Sequence, residues 1–150
     1  MRWIAASFAL CFAGCALLPP ATANIDKVLP HFLDEDGRHS DGVGLLERDL
    51  YQLALRDEPD RISSIRFDIK WSGTGLDPKV TRLRLEVRGS KAGAEPIVID
   101  HNATADILST TWTPIFVPPT DYEKLGQMES WRVSLWEGDR QVAGHQSFLW

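Results

Sequence analysis

The sequence contains only two cysteines, Cys11 and Cys15, and both lie within its first 15 residues. A chain that loses this segment keeps at most one of them, so a disulfide within one mature chain is excluded. Zinc sites built from cysteines and thiol catalysis are excluded for the same reason. The domain must therefore be held together by burial of its core, which a chain of 127 residues (150 minus the first 23) permits.

Basic side chains are also scarce relative to acidic ones. The 16 Lys and Arg against 21 Asp and Glu give a net charge of −5. Such a chain lacks the protein-wide positive field that attracts nucleic acid, so we expect no nucleic-acid partner. The composition, 43% hydrophobic and 25% charged, is that of a globular domain, and the length predicts one core rather than two.

Motifs that identify a catalytic or metal centre are missing. No serine lies in a G-x-S-x-G or S-x-x-K pattern. His31, Asp34, Asp36 and His39 match neither a calcium loop nor a zinc spacing, so we interpret them as a solvated acidic turn and predict no metal. We expect no cofactor and no enzymatic activity. A small hydrolase stays open as an alternative, because triads and carboxylate pairs are assembled in space rather than in sequence.

The N-terminal residues have the pattern of an export signal. A run without charge extends from Trp3 to Leu18, a length typical of a signal-peptide core and short for a bilayer span. Within residues 1–23 two processing sites compete. Phe12-Ala13-Gly14-Cys15 resembles a bacterial lipobox that would attach lipid to Cys15, and Ala21-Thr22-Ala23 is an A-x-A cleavage site. Both predict export, either to the periplasm and the outer membrane or as a secreted protein.

Residues 24–60 are predicted to be an irregular lead-in that contains one short amphipathic helix. Apolar residues recur at helical spacing between Leu45 and Asp57, and Pro59 ends the pattern. The stripe expected to pack on a sheet consists of Leu46, Leu50, Leu53 and Ala54. The positions expected to face solvent are Glu47, Arg48, Gln52 and Arg56.

Residues 61–150 are predicted to form the domain itself, a series of short strands. Apolar and polar residues alternate over 64–71 and over 81–88, and we expect these two strands to form a hairpin or a meander. Further strands are predicted at 96–99, 110–117, 131–136 and 141–150, with a helical turn over 121–127. Pro114 favours an edge position or a bulge, and Gly138-Asp139 favours a two-residue hairpin loop.

This spacing of strands predicts an all-β protein with one short N-terminal helix, namely an immunoglobulin-like antiparallel β-sandwich. Tyr122 precedes a predicted strand, where such folds place a corner tyrosine. The cysteine pair of antibody domains is missing. A small antiparallel barrel is the alternative.

The combination of a signal segment, Cys15 preceded by Ala13-Gly14, a short spacer with prolines and a tryptophan-rich run over 130–140 resembles the small exported proteins and lipoproteins of bacteria. The resemblance implies a place in the cell envelope and attachment to the membrane through lipid. It implies no catalytic residues.

Tryptophans and arginines supply the candidate binding residues. Trp71 and Trp131 alternate in phase with apolar residues and are predicted to lie in the core. Trp136 lies in phase with polar residues, so we expect the helix to cover it, or its exposed ring to bind a partner or stack on a sugar. The candidate binding set is Trp136, Trp112, Arg82, Arg84 and Arg88. Together with Arg66 and Lys70, these arginines predict a basic sheet face that is either ordinary solvated surface or a site for an anionic glycan, a lipid headgroup or an acidic partner.

These observations lead to one functional hypothesis and two alternatives. We expect a non-enzymatic interaction module of the cell envelope whose partner is another envelope protein. The first alternative is a carbohydrate-binding module that uses Trp136 or Trp112 as a platform. The second is the small hydrolase.

Overall fold

The computed structural model of this protein describes residues 21–103 and 111–150. Within these residues the chain forms strands β1 to β7, helices α1 and α2, and a 3-10 helix at Pro59–Arg61. The strands are β1 (Thr22–Leu33), β2 (Ser64–Thr74), β3 (Thr81–Gly89), β4 (Ile97–Asn102), β5 (Thr111–Val117), β6 (Met128–Glu137) and β7 (Arg140–Gln146). The helices are α1 (Leu45–Asp57) and α2 (Pro119–Leu125).

The described strands form two antiparallel sheets. One has the order β1-β2-β5 and the other the order β4-β3-β6-β7. Apolar side chains from both sheets meet between them in one buried cluster. The predicted all-β sandwich is confirmed, and α1 occupies the predicted residues, because Gly44 and Pro59 flank a run with good helix formers.

The core is built from the inward positions of the alternating strands. Phe67, Ile69 and Trp71 of β2 are at most 1% exposed. Leu83, Leu85 and Val87 of β3 and Val133 and Leu135 of β6 are fully buried opposite them. Trp71 donates a hydrogen bond from its indole nitrogen to Thr113 Oγ1 at 2.9 Å, so its one polar atom is satisfied. Trp131 is half-buried and packs edge-on against Phe67, with ring centroids 6.1 Å apart.

The prediction that the strands over 64–71 and 81–88 pair with each other is wrong. β2 lies in the three-stranded sheet and β3 in the four-stranded sheet. The alternating pattern shows that each strand has one buried face, but it does not identify the neighbouring strand. The predicted basic face is therefore divided: Arg66 and Lys70 lie on one side of the molecule, and Arg82, Arg84 and Arg88 on the other.

The interpretation of residues 24–44 as an irregular lead-in is wrong for its first part, because Thr22–Leu33 is the first strand of the sandwich. Its alternation is hidden by a register shift between Ile25 and Lys27. Pro30 also obscures it. Pro30 has the same orientation as Phe32, whose N–H points away from β2, so its missing N–H does not interrupt the ladder.

The remaining local predictions are mostly confirmed. Pro114 lies on β5, an edge strand, and Gly138 adopts a positive φ of 57° in the two-residue turn between β6 and β7. The last strand ends at Gln146 rather than continuing to Trp150. The reason is that the Trp131 N–H donates to the Ser147 hydroxyl at 3.0 Å instead of the Ser147 carbonyl, which accepts from the Trp150 N–H at 3.2 Å and so begins a turn.

Candidate functional site

The outer surface of the four-stranded sheet carries alternating arginine and tryptophan side chains. We call this surface the arginine–tryptophan face; its residues are Arg82, Arg84, Arg88, Arg132, Trp136 and Trp150. Arg82 lies directly opposite Trp136 in the β3–β6 ladder. The guanidinium groups of Arg82 and Arg84 lie 5.4 and 5.7 Å from the centroid of the Trp136 ring. These distances are within the range of cation–π attraction.

A second cluster of the same kind lies further along this face. The Arg88 and Arg132 guanidinium groups lie 4.0 and 4.8 Å from the ring centroid of Trp150, which the terminal turn places over the sheet. Arg88 forms no ion pair with any residue that the structure describes, and Trp150 is its contact. The predicted site residues Arg82, Arg84 and Trp136 thus come together, and Arg88 belongs to the neighbouring cluster.

Two carboxylates, Asp100 and Glu86, neutralise half of the positive charge of the four arginines on the arginine–tryptophan face. Arg84 donates two hydrogen bonds to Asp100 at 2.7 and 2.8 Å, and Arg132 donates two to Glu86 at 2.7 and 2.8 Å. The hydrogen bonds from Arg84 lower the pKa of Asp100. Such two-pronged pairs order the arginine side chains. The face is a cross-linked polar surface in which two guanidinium groups lie over each outward tryptophan ring.

The expectation that α1 covers Trp136 is wrong. α1 contacts β1 and the 3-10 helix, and it lies beside the edge of the three-stranded sheet. Arginines cover Trp136 instead, and its indole N–H donates to Ser134 Oγ at 2.8 Å. The sequence could have predicted this contact, because Arg82 and Arg84 alternate with apolar residues on β3 and therefore face outward. The prediction requires the knowledge that β3 pairs with β6, which carries Trp136.

The prediction of a solvated acidic turn is wrong for His31, which is buried on β1, and for Asp34, which is the buried carboxylate around which the turn after β1 is organised. Asp34 accepts hydrogen bonds from the backbone N–H groups of Asp36 and Arg38 at 3.0 and 2.8 Å, from Arg38 Nε at 3.0 Å, and from the Tyr51 hydroxyl. Burial raises the pKa of Asp34, but the bonds from Tyr51 and Arg38 outweigh it and lower the pKa to about 2. Among the described residues no group of three or more His, Cys, Asp or Glu could hold a metal ion.

The outer surface of the three-stranded sheet contains a shallow groove of about 360 Å³. We call it the Trp112 groove; it is lined by Leu29, His31, His39, Arg48, Arg66, Asp68 and Trp112. β1, β2 and β5 position His31, Asp68 and Trp112, whereas His39 and Arg48 come from the loop before α1 and from α1 itself. Sequence reasoning named Trp112 but not this set, because its members are joined only by the pairing of distant strands.

One carboxylate organises the floor of the Trp112 groove. Asp68 accepts a hydrogen bond from Arg66 at 2.9 Å, and its oxygen lies 3.4 Å from His31 Nε2. The His31 and His39 rings lie 5.4 Å apart. Burial lowers the pKa of both imidazoles, so both are neutral at pH 7 and offer one donor and one acceptor each. Arg66 Nε is buried without a hydrogen-bond partner among the described atoms.

The third surface is the outer side of α1. We call it the leucine ridge; its members are Leu46, Leu50 and Leu53, which are 68%, 57% and 53% exposed. Their spacing places them on one side of the helix. The prediction that this stripe is buried is wrong. The helix instead buries Tyr51, Gln52 and Leu55, because Gln52 binds the open edge of β1 and Tyr51 binds Asp34.

Comparison with known proteins gave no match: no family model, no curated protein and no solved structure is similar to the chain. No helix among the described residues is long and apolar enough to cross a membrane. The predicted signal core and Cys15 lie outside the described residues.

Proposed function

We propose that this protein is a non-enzymatic interaction domain of the bacterial cell envelope, with an immunoglobulin-like sandwich that binds another envelope protein through the leucine ridge. The ridge carries the proposal. An ordinary surface helix directs its apolar stripe into the core, whereas α1 directs three leucines to solvent and holds itself to the sandwich by other groups. A contiguous exposed apolar patch is typical of a protein-binding surface.

The order of the strands supports the immunoglobulin-like assignment. Constant-type immunoglobulin sheets contain the first, second, fifth and fourth strands on one side and the third, sixth and seventh on the other. This protein differs in one strand, since β4 pairs with β3 rather than joining the sheet of β1, β2 and β5. Tyr122 is buried in α2, between β5 and β6, the corner at which such folds place a tyrosine.

The position of β1 favours lipid attachment at Cys15 over cleavage after Ala23. Thr22 and Ala23 pair with Thr74 and Gly73, and the Thr22 and Thr74 hydroxyls form a hydrogen bond of 2.7 Å. Cleavage after Ala23 would remove these pairs, whereas processing at Cys15 retains them. Because β1 has 12 residues, its N-terminal end lies about 40 Å from the end near α1. An anchor at that N-terminal end leaves the leucine ridge accessible.

Site-specific photo-crosslinking in the native host tests this function. A photoreactive side chain at Leu50 is expected to yield one major adduct with an envelope protein, because Leu50 is the central residue of the ridge. The same side chain at Val98 is the control, since Val98 is 52% exposed and lies on the outer face of the other sheet. Absence of an adduct at Leu50, or the same adduct from Val98, would overturn the proposal.

A further inference from the structure

We propose that the Trp112 groove, with the lysine pair beside it, binds an acidic saccharide, a sugar that carries carboxylate or sulfate groups. This site is independent of the leucine ridge and lies on a different element. The inference depends on three observations: an exposed aromatic strip, positive charge beside it that forms no ion pair with a described residue, and a groove floor with two histidines and an Arg66–Asp68 ion pair.

The aromatic strip follows the edge strand β5. The side chains of Trp112, Pro114 and Phe116 point outward and alternate with buried ones. Trp112 and Phe116 are 48% and 54% exposed. Trp112 and Phe116 are four residues apart, so their rings are separated by about 13 Å along the strand. Unlike Trp136, Trp112 is not covered by a described guanidinium within cation–π distance. Its indole surface is therefore open to stacking by the apolar face of a pyranose ring.

The positive charge lies directly beside this strip. Lys70 is opposite Trp112 in the β2–β5 ladder and opposite Lys27 in the β1–β2 ladder. Like charges in directly opposed positions destabilise a sheet. Neither lysine forms an ion pair with any described residue, whereas Arg84 and Arg132 of the other sheet form two-pronged pairs with carboxylates. An anion bound next to Trp112 would neutralise this repulsion.

The groove floor supplies the polar contacts that sugar hydroxyls need. His31 and His39 are neutral and adjacent, and Asp68 accepts from Arg66 while it retains acceptor capacity. Arg48 is 30% exposed and pairs with Asp49, an exposed carboxylate outside the groove. Shallow grooves with such mixed donors and acceptors recognise hydroxyl-rich ligands better than apolar ones.

An acidic peptide fits this site less well than a saccharide. Peptides commonly bind a sheet by adding a strand to an open edge, where backbone groups form the ladder. Pro114 lies at the centre of β5 and has no N–H to donate, which weakens strand addition at that edge. A saccharide needs no ladder, since it uses the ring of Trp112 and the charges of Lys27 and Lys70.

The test compares tetragalacturonate, an uncharged galactose tetrasaccharide and tetraglutamate, with binding measured by calorimetry and by the NMR signal of the Trp112 indole. The wild-type domain is expected to bind tetragalacturonate at least about tenfold more tightly than the other two probes. Trp112→Ala and Lys70→Gln are expected to weaken that binding about tenfold or more, and added salt is expected to weaken it further.

Arg84→Gln is the matched control, because it removes a cation from the opposite sheet and leaves the Trp112 groove intact. The circular dichroism spectrum of each variant is compared with that of the wild type to show that the variant is folded. Lys27→Gln is a second variant that removes a positive charge, at an exposed position of β1. Failure of tetragalacturonate to bind overturns the proposal, as does binding that survives Trp112→Ala or falls equally in Arg84→Gln. Tighter binding of tetraglutamate would assign the groove to acidic peptides instead. None of these outcomes affects crosslinking at Leu50.

Discussion

Asp34 is the residue on which the junction between the sandwich and α1 depends. Its carboxylate is buried and accepts hydrogen bonds from two backbone N–H groups, from Arg38 and from the Tyr51 hydroxyl of α1. A buried carboxylate with this many donors is stabilised in its charged form. Removal of the charge therefore leaves the buried Tyr51 hydroxyl and three further donors of the turn with a weaker acceptor.

We predict that Asp34→Asn lowers the free energy of unfolding by about 1 to 3 kcal/mol. The folded pKa of about 2 lies below the ordinary 3.8, so the unfolded chain binds the proton at higher pH. The stabilisation is complete above pH 3.8 and is lost as the pH falls towards 2. Urea unfolding of both proteins at a series of pH values measures this, and the variant is expected to lack that part of the dependence.

Asp36→Asn is the control for this prediction, because Asp36 lies in the same turn but is 73% exposed and pairs only with the exposed Arg38 side chain. We expect it to change stability by less than about 0.5 kcal/mol. Equal effects of the two substitutions would show that the turn is sensitive to charge in general and would contradict the role given to Asp34.

At the scale of elements, α1 is attached to β1 by the Gln52 side chain, whose amide forms the hydrogen bonds that a neighbouring strand would form. Gln52 accepts from the Phe32 N–H at 2.8 Å and donates to the Phe32 carbonyl at 2.9 Å and to the His39 carbonyl at 3.0 Å. Phe32 lies at the open edge of β1, where these groups would otherwise have no strand to pair with. One buried amide thus closes part of a sheet edge.

We predict that Gln52→Leu lowers the free energy of unfolding by about 1 to 3 kcal/mol, because it leaves one donor and two acceptors without partners. Hydrogen exchange at the Phe32 amide is expected to accelerate more than exchange at Phe67, which lies in the central strand β2. Gln146→Leu, the same substitution at an exposed position of β7, is the control and is expected to be nearly neutral. Unchanged exchange at Phe32 would contradict the edge-closing role.

The bounds of α1 were predictable from sequence, but its orientation was not. Helical spacing of leucines and the stop at Pro59 define where a helix forms. The same spacing assigned Leu50 to the core, because periodicity assumes that apolar residues face inward. Gln52 is buried because its amide binds backbone groups at the open edge of β1. Helical periodicity cannot predict this contact, because that edge exists only after β1 has folded.

At the scale of the whole molecule, local alternation predicted most strands and their inward faces, whereas strand pairing required the fold. β2 and β3 follow each other in sequence yet lie in opposite sheets. For the arginine–tryptophan face, the sequence predicted that Arg82, Arg84 and Trp136 point outward. It did not predict that their two strands pair and so bring these residues together. The Trp112 groove was not, because Trp112 and His31 are separated by 81 positions and meet across β2.

The first strand of the sandwich links the fold to the proposed processing of the chain. A chain that begins at Asn24 lacks Thr22 and Ala23, which pair with β2, and its buried Ile25 becomes the second residue. Strand ends without flanking residues fray, so we predict that this chain is about 1 kcal/mol less stable than one that begins at Ala16. Equal stability of the two chains in urea would show that β1 does not distinguish the processing routes.

The route that the cell uses is measured by the intact mass of the protein from membrane and soluble fractions of its native host, beside a Cys15→Ser variant. We expect a membrane-bound species that begins at Cys15 and carries diacylglycerol, because this route retains the whole of β1, and we expect that species to be lost in the variant. A soluble wild-type species that begins at Asn24 would contradict lipid attachment. It would also mean that the sandwich tolerates a frayed first strand, and that the leucine ridge and the Trp112 groove act on a freely diffusing protein.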